Sequence, residues 1–213
     1  MYSGYLKMFY KKYPDNKYLP YKEQYDSLLR DTSEPVGSYA RMFNLQGVET
    51  ACVITNADYL QEKWKLENGF VSLNNKTLVL EQVRKFKPDV LWIEGKDFIE
   101  RKWTDRVRQS LPFLKLIVGN HCAPYDFKML ENFRHLDFIF TCTPGLKQDL
   151  EKNGLKTYLI YHAFDNAIID KLKDDNSFSE KDFVFSGSLF IGGGFHDKRI
   201  EFLENILNGD GLM

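Results

Sequence analysis

The chain has 213 residues, enough for one large domain, or for one domain and part of a second. With 43% hydrophobic and 28% charged residues its composition is that of a globular protein, which excludes wholesale disorder and low-complexity polymers. Lys plus Arg number 29 against 30 Asp plus Glu, so bulk charge points neither to nucleic acid nor to a polybasic membrane anchor, and any such partner needs a local patch. The 12 Tyr and 17 Phe supply ring surface of the kind that stacks on planar or sugar-like ligands. Apolar runs are only a few residues long, far short of the roughly 20 that a membrane span requires, and the N-terminus lacks an apolar signal region. The expectation is a cytoplasmic chain with no transmembrane segment. Cys52, Cys122 and Cys142 are widely spaced and contain no C-x-x-C pair, which predicts reduced core thiols rather than a disulfide framework or a zinc site.

In chain order, short apolar runs read as strands at Tyr5 to Tyr10, Thr50 to Thr55, Val90 to Ile93, Leu116 to Val118, Phe138 to Thr141, Thr157 to Tyr161 and Phe183 to Ser186. The segments between them read as amphipathic helices. Gly47 closes one, and Asn56 or Asp58 opens another that carries Leu60 and Trp64 and ends at Gly69. Val79, Leu80, Val83 and Phe86 fall at helical spacing before Pro88. Thr143 is a predicted N-cap, Pro144 fits the first helical position and Gly154 the stop. Strands alternating with helices predict an α/β fold, a mainly parallel sheet with helices on both faces. The polar stretch from Leu172 to Asp182 reads as a linker, which gives a domain over residues 1–178. Residues 179–213 then hold the end of the linker and one strand and one helix, the latter bearing Ile200, Leu203, Ile206 and Leu207, too little to bury their own faces.

Within that last segment, Ser186, Gly187 and Ser188 are followed by Gly192, Gly193 and Gly194, so a strand runs through a glycine-rich turn into a helix. Backbone amides free of side chains and a helix N-terminus suit an anion, and His196 and Arg199 could add charge-assisted hydrogen bonds to a diphosphate. Neither a P-loop nor a G-x-G-x-x-G is present: Gly193 stands where a P-loop needs Lys. No two aspartates are two residues apart, so a metal-binding Asp-x-Asp is missing, and the G-x-S-x-G of serine hydrolases is missing too. In a parallel sheet the ligand crevice lies beyond the C-terminal strand ends. Glu94 and Asp97 follow the third predicted strand, Asn120 and His121 the fourth, and His162 the sixth. His121, Glu94 and Asp97 are the candidate catalytic bases, with Asn120 and His162 placed in an interdomain cleft.

The order of these residues resembles the GT-B glycosyltransferases, in particular the bacterial sugar transferases similar to the spore maturation protein CgeB. The likeness rests on Tyr5, Leu6, Phe9 and Tyr10, then Tyr39, then Asn56 with Leu60, Gln61, Trp64 and Glu67. It continues through Glu81, Gln82, Pro88, Asp89, Val90, Gly119, Thr141 and Pro144 to the run His162, Ala163, Phe164, Asp165, and ends on Phe185, Gly187, Ser188, His196 and Arg199. What the resemblance implies is a Rossmann-like acceptor-side domain followed by the start of a donor-binding domain, with the turn at Gly187 meeting the donor diphosphate. Implied partners are a nucleotide diphosphate sugar and a saccharide or other hydroxyl-bearing acceptor, with no cofactor, metal or nucleic acid. Elements completing the donor domain are missing after residue 207, which predicts an incomplete and, by itself, inactive transferase. The alternative is a non-catalytic Rossmann-like ligand-binding or interaction module.

Overall fold

The computed structural model describes residues 1–31, 35–95, 97–161, 163, 165–172, 185, 189 and 197–208. Ten α-helices and four strands lie among them. In order these are α1 (Ser3–Lys12), α2 (Tyr21–Arg30), α3 (Pro35–Leu45), α4 (Asp58–Glu67), α5 (Asn75–Phe86), β1 (Val90–Glu94), α6 (Arg101–Ser110), β2 (Leu116–Asn120), α7 (Phe127–Phe133), β3 (Phe138–Thr141), α8 (Pro144–Lys152), β4 (Thr157–Leu159), α9 (Ala167–Leu172) and α10 (Asp197–Leu207). The chain divides into two compact units, Met1–Lys171 and Leu172–Met213. In the second, α10 carries Ile200, Leu203 and Ile206 half-buried and Leu207 exposed.

The four strands are all parallel and lie in sequence order, β1-β2-β3-β4. Alternation places Leu91, Ile93, Ile117, Gly119 and Ile139 on one face. That face is packed by Val79, Leu80 and Val83 of α5, Trp103 and Val107 of α6, Leu130 and Phe133 of α7 and Leu150 of α8. Gly119 lacks a side chain because Leu136, in the turn before β3, fills its place: a Cβ there would lie 2.6 Å from Leu136 Cδ1. The opposite face presents Trp92, Val118, Phe138, Phe140 and Tyr158. Helix α3 covers part of it, with Tyr39 stacked on Trp92 at 5.6 Å and Phe43 edge-on at 6.3 Å.

Local signals behave as their chemistry dictates. The Asn74 side chain caps α5 by accepting from the Thr77 amide at 2.9 Å, Asp126 caps α7 through Met129 at 2.7 Å, and Thr143 caps α8 through Leu146 at 3.3 Å. Gly154 then adopts φ 80° just past the end of α8. Helix α5 ends differently from the Pro88 stop alone: Lys87 takes φ 56°, a left-handed conformation that strains a side chain with a Cβ.

Two expected strands fail. Tyr5 to Tyr10 lies within α1, because Leu6 and Phe9 sit three residues apart on one buried helical face and Phe9 packs against Tyr13 at 5.2 Å. The β propensity of its tyrosines yields to that periodicity. Thr50 to Thr55 joins no ladder among the described residues. Side chains take the place of a neighbouring strand: the Tyr25 hydroxyl accepts from the Cys52 amide at 2.8 Å, while Gln61 donates to Ile54 O at 2.9 Å and Asn75 to Thr55 O at 3.1 Å. The predicted strand at Phe183 to Ser186 lies outside the described residues, Phe185 excepted. Strands β1 and β2 run one and two residues further than expected, to Glu94 and Asn120, and β4 stops at Leu159.

A second core joins Leu6 and Phe9 of α1, Leu28 of α2, and Ile54, Ala57 and Leu60 at the start of α4. Buried amides stitch this region together. Gln24, fully buried, donates to Leu19 O at 2.8 Å and accepts from the Tyr10 hydroxyl, and Gln82 of α5 donates to Gln61 of α4. Gln24 and Gln61 both donate and accept, as the cost of desolvating an amide requires, whereas Gln82 donates to Gln61 while its own Oε1 is buried without a hydrogen-bond partner.

Helix α7 carries two phenylalanines in opposite surroundings. Phe133 is fully buried and Phe127, in the same helix, is 76% exposed. Phe133→Ala is expected to cost about 3–5 kcal/mol in urea unfolding, and Phe127→Ala less than about 0.5 kcal/mol. Equal losses would contradict the packing. Lys87→Gly is expected to stabilise by about 1 kcal/mol in the same measurement, by relieving the left-handed backbone.

Candidate active site

Glu94 and Asn120 are the last residues of β1 and β2 and face each other in the register. Parallel pairing therefore brings two polar side chains together at the C-terminal edge of the sheet, where open α/β folds bind ligands. The Asn120 amide donates to both Glu94 carboxylate oxygens at 3.1 Å. Trp92, two residues earlier and so on the same face, donates its indole N–H to Glu94 Oε1 at 2.9 Å. Glu94 is exposed, yet its orientation is fixed from two sides.

An aromatic wall stands beside this carboxylate. Phe140 packs on Trp92 at 4.9 Å and Tyr39 stacks on the same indole. Burial raises the Tyr39 hydroxyl above its ordinary pKa, and the nearby Glu94, Cys122 and Cys142 push it the same way. Tyr39 thus stays protonated at neutral pH and remains a hydrogen-bond donor. Exposed oxygen acceptors next to ring surface can bind a hydroxylated ring, whose C–H face packs on the aromatics while its hydroxyls meet the carboxylate.

His121 follows Asn120 directly, but its environment differs. Its amide donates to Phe140 O at 2.9 Å, and its imidazole packs against Phe133 at 5.1 Å and Tyr125 at 6.4 Å. Nε2 is enclosed without a hydrogen-bond partner. Burial lowers its pKa, opposed by backbone hydrogen bonds at Ala123 and Pro124, so the ring is neutral at pH 7. Asp97 is exposed in the turn after β1. Arg199 lies exposed in the first turn of α10. His162, Ser186, Gly187, Ser188, Gly192, Gly193, Gly194 and His196 lie outside the described residues. Among the described residues no group of three or more His, Cys, Asp or Glu side chains is arranged to hold a metal ion, and no helix is long and apolar enough to cross a membrane.

Asp165 was singled out only as part of a residue run, and its role is structural. Its carboxylate accepts from Ser38 and forms an ion pair with Arg41, both on α3, and accepts from the Ala167 amide at 3.0 Å to cap α9. The segment leaving β4 is thereby fastened to the helix that carries Tyr39. Trp92 escaped sequence reasoning, and Cys122 and Cys142, expected as core thiols, are instead exposed and half-buried just past the ends of β2 and β3. For Trp92 the signal was present, since it shares period-two alternation with Glu94.

No family model, curated protein or solved structure matches the chain.

The Arg41 and Ser38 hydrogen bonds hold the Asp165 carboxyl well below the usual carboxylate range, at about 2. A carboxyl whose pKa falls on folding stabilises the fold above its unfolded value, near 3.9, and that contribution is lost as pH drops toward 2. Asp165→Asn is therefore expected to lower the melting temperature at pH 7 and to flatten its decline between about pH 4 and 2. Parallel melting curves for the two proteins across that range would refute the linkage.

Proposed function

We propose that this chain is the acceptor-side portion of a GT-B type glycosyltransferase, which moves a sugar from a nucleotide diphosphate sugar to a hydroxyl-bearing acceptor without a metal ion. The observation that carries the reading is the exposed Glu94 carboxylate, oriented by Trp92 and Asn120 at the C-terminal edge of a parallel sheet. Its support is chemical: a fixed carboxylate beside aromatic surface can take the proton of an acceptor hydroxyl as it attacks, or hold a sugar hydroxyl in place. Of the candidate bases Glu94 fits best, because two side chains orient its carboxylate, whereas His121 Nε2 is enclosed between rings and Asp97 lies exposed in the turn after β1. In this reading the donor diphosphate meets the backbone amides of the turn from Ser186 to Gly194, together with His196 and Arg199. That assignment rests on the glycine pattern and the residue order.

Saturation-transfer NMR with UDP, GDP and free sugars tests the binding half directly. Contact with a sugar, relayed to the rings of Tyr39 or Trp92, is expected, and silence with every sugar and nucleotide would sink the proposal. For the chemical half, Glu94→Gln in the complete enzyme is expected to lower kcat by about 10²–10⁴ with acceptor affinity nearly unchanged. Loss of affinity at unchanged kcat would make Glu94 a binding group instead.

A further inference from the structure

Cys122 and Cys142 stand two residues beyond Asn120 and Phe140, the last pair in the β2–β3 register. The two backbones stay together past that pair, since the His121 amide donates to Phe140 O at 2.9 Å. The Cys122 and Cys142 thiols adjoin one another, and Cys122 Sγ lies 3.9 Å from Asn120 Oδ1. Both thiols, like Glu94, raise the Tyr39 hydroxyl, which places them in its neighbourhood. Cys122 is exposed and Cys142 half-buried. The remaining cysteine, Cys52, belongs to the 50–55 segment, where its amide is held by Tyr25.

We propose that Cys122 and Cys142 are a thiol-oxidation site, closing reversibly into an intrachain disulfide across the C-terminal ends of β2 and β3. Paired residues on neighbouring strands lie about 4.8 Å apart, inside the window of about 4.4–6.8 Å between Cα atoms that a disulfide needs, and Cys122 and Cys142 each stand two residues beyond such a pair. The oxidant is a small-molecule disulfide such as oxidised glutathione. The exposed Cys122 loses its proton and attacks one sulfur of that disulfide, forming a mixed disulfide and expelling one glutathione thiolate. The Cys142 thiolate then attacks Cys122 Sγ and expels the second glutathione. Two S–H bonds are lost and one S–S bond is made, and the two electrons leave with two molecules of reduced glutathione.

Burial and the adjoining thiol push Cys122 up to about 12, so the attacking thiolate is scarce at neutral pH and exchange is slow there. The same property makes Cys122 a poor leaving group, so the closed bond resists reduction by thiols. The site therefore responds to the sustained redox poise of its surroundings rather than to brief pulses of oxidant. It stands apart from the glycosyltransferase reading and survives if that reading fails.

The test uses the full chain equilibrated in mixtures of oxidised and reduced glutathione, quenched in acid, alkylated and mapped by peptide mass. The expected product has Cys122 linked to Cys142, is lighter by two hydrogens, retains no glutathione and leaves Cys52 open to alkylation. Its rate of formation is expected to rise roughly tenfold per pH unit near neutrality, as the thiolate fraction does. Cys142→Ser, which removes only the resolving thiol, is expected to trap Cys122 as the glutathione adduct. Wild-type protein that accumulates that adduct instead of the internal bond would overturn the proposal. So would wild-type protein that keeps both thiols free at a poise where the Cys142→Ser variant is modified.

Discussion

Four parallel strands laid down in sequence order leave the chain little choice of where its connections go. Each crossover in a parallel sheet is right-handed, so three successive crossovers in one direction deposit α6, α7 and α8 on the same face. Helix α5, arriving just before β1, packs there as well. The other face receives nothing from the crossovers and has to be covered by chain from elsewhere. That task falls to α3, which comes before the sheet in sequence and reaches Trp92 through Tyr39 and Phe43. The N-terminal third of the chain is thus tied to the sheet by a topological need.

The same need explains the character of the site. A sheet face covered on both sides along its whole length is made of aliphatic residues, as the Ile93, Ile117 and Ile139 face is. The partly covered face is made largely of rings around Val118, and rings can be half-exposed at low cost and still find partners for their polar edges. Trp92 shows both properties, with its ring clamped between Tyr39 and Phe140 while its N–H reaches Glu94. The carboxylate is held from beneath by the sheet itself, so no mobile loop has to close to orient it.

The sheet was legible because its strands are short apolar runs framed by helix caps that declare themselves: Thr143 with Pro144, and Gly154 at the far end. The first third was not. Tyr5 to Tyr10 has strand-like composition, and only the spacing of Leu6 and Phe9 against Leu28 and Leu60 reveals a helix, a contact between segments that local sequence does not display. Thr50 to Thr55 has the right residues for a strand but spends its backbone hydrogen bonds on Tyr25, Gln61 and Asn75. At the site, Glu94 and Asn120 could be found individually as polar residues at strand ends. Their contact depends on the Val90 to Leu116 register, and the neighbourhood of Tyr39 with the two thiols depends on α3 packing on Trp92 of β1. Properties of one element can be read along the chain, whereas those of a pairing cannot.

The hollow at Gly119 ties two distant positions into a single unit of volume. Gly119 is the next-to-last residue of β2, paired with both Ile93 and Ile139, and the space its side chain would occupy belongs to Leu136. A side chain gained at 119 has to displace the tip of Leu136, which must turn to another rotamer or be shortened. Gly119→Ala crowds Leu136 and Leu136→Val leaves a void, so each change is expected to be milder in the presence of the other. The two positions are thus expected to drift as a pair.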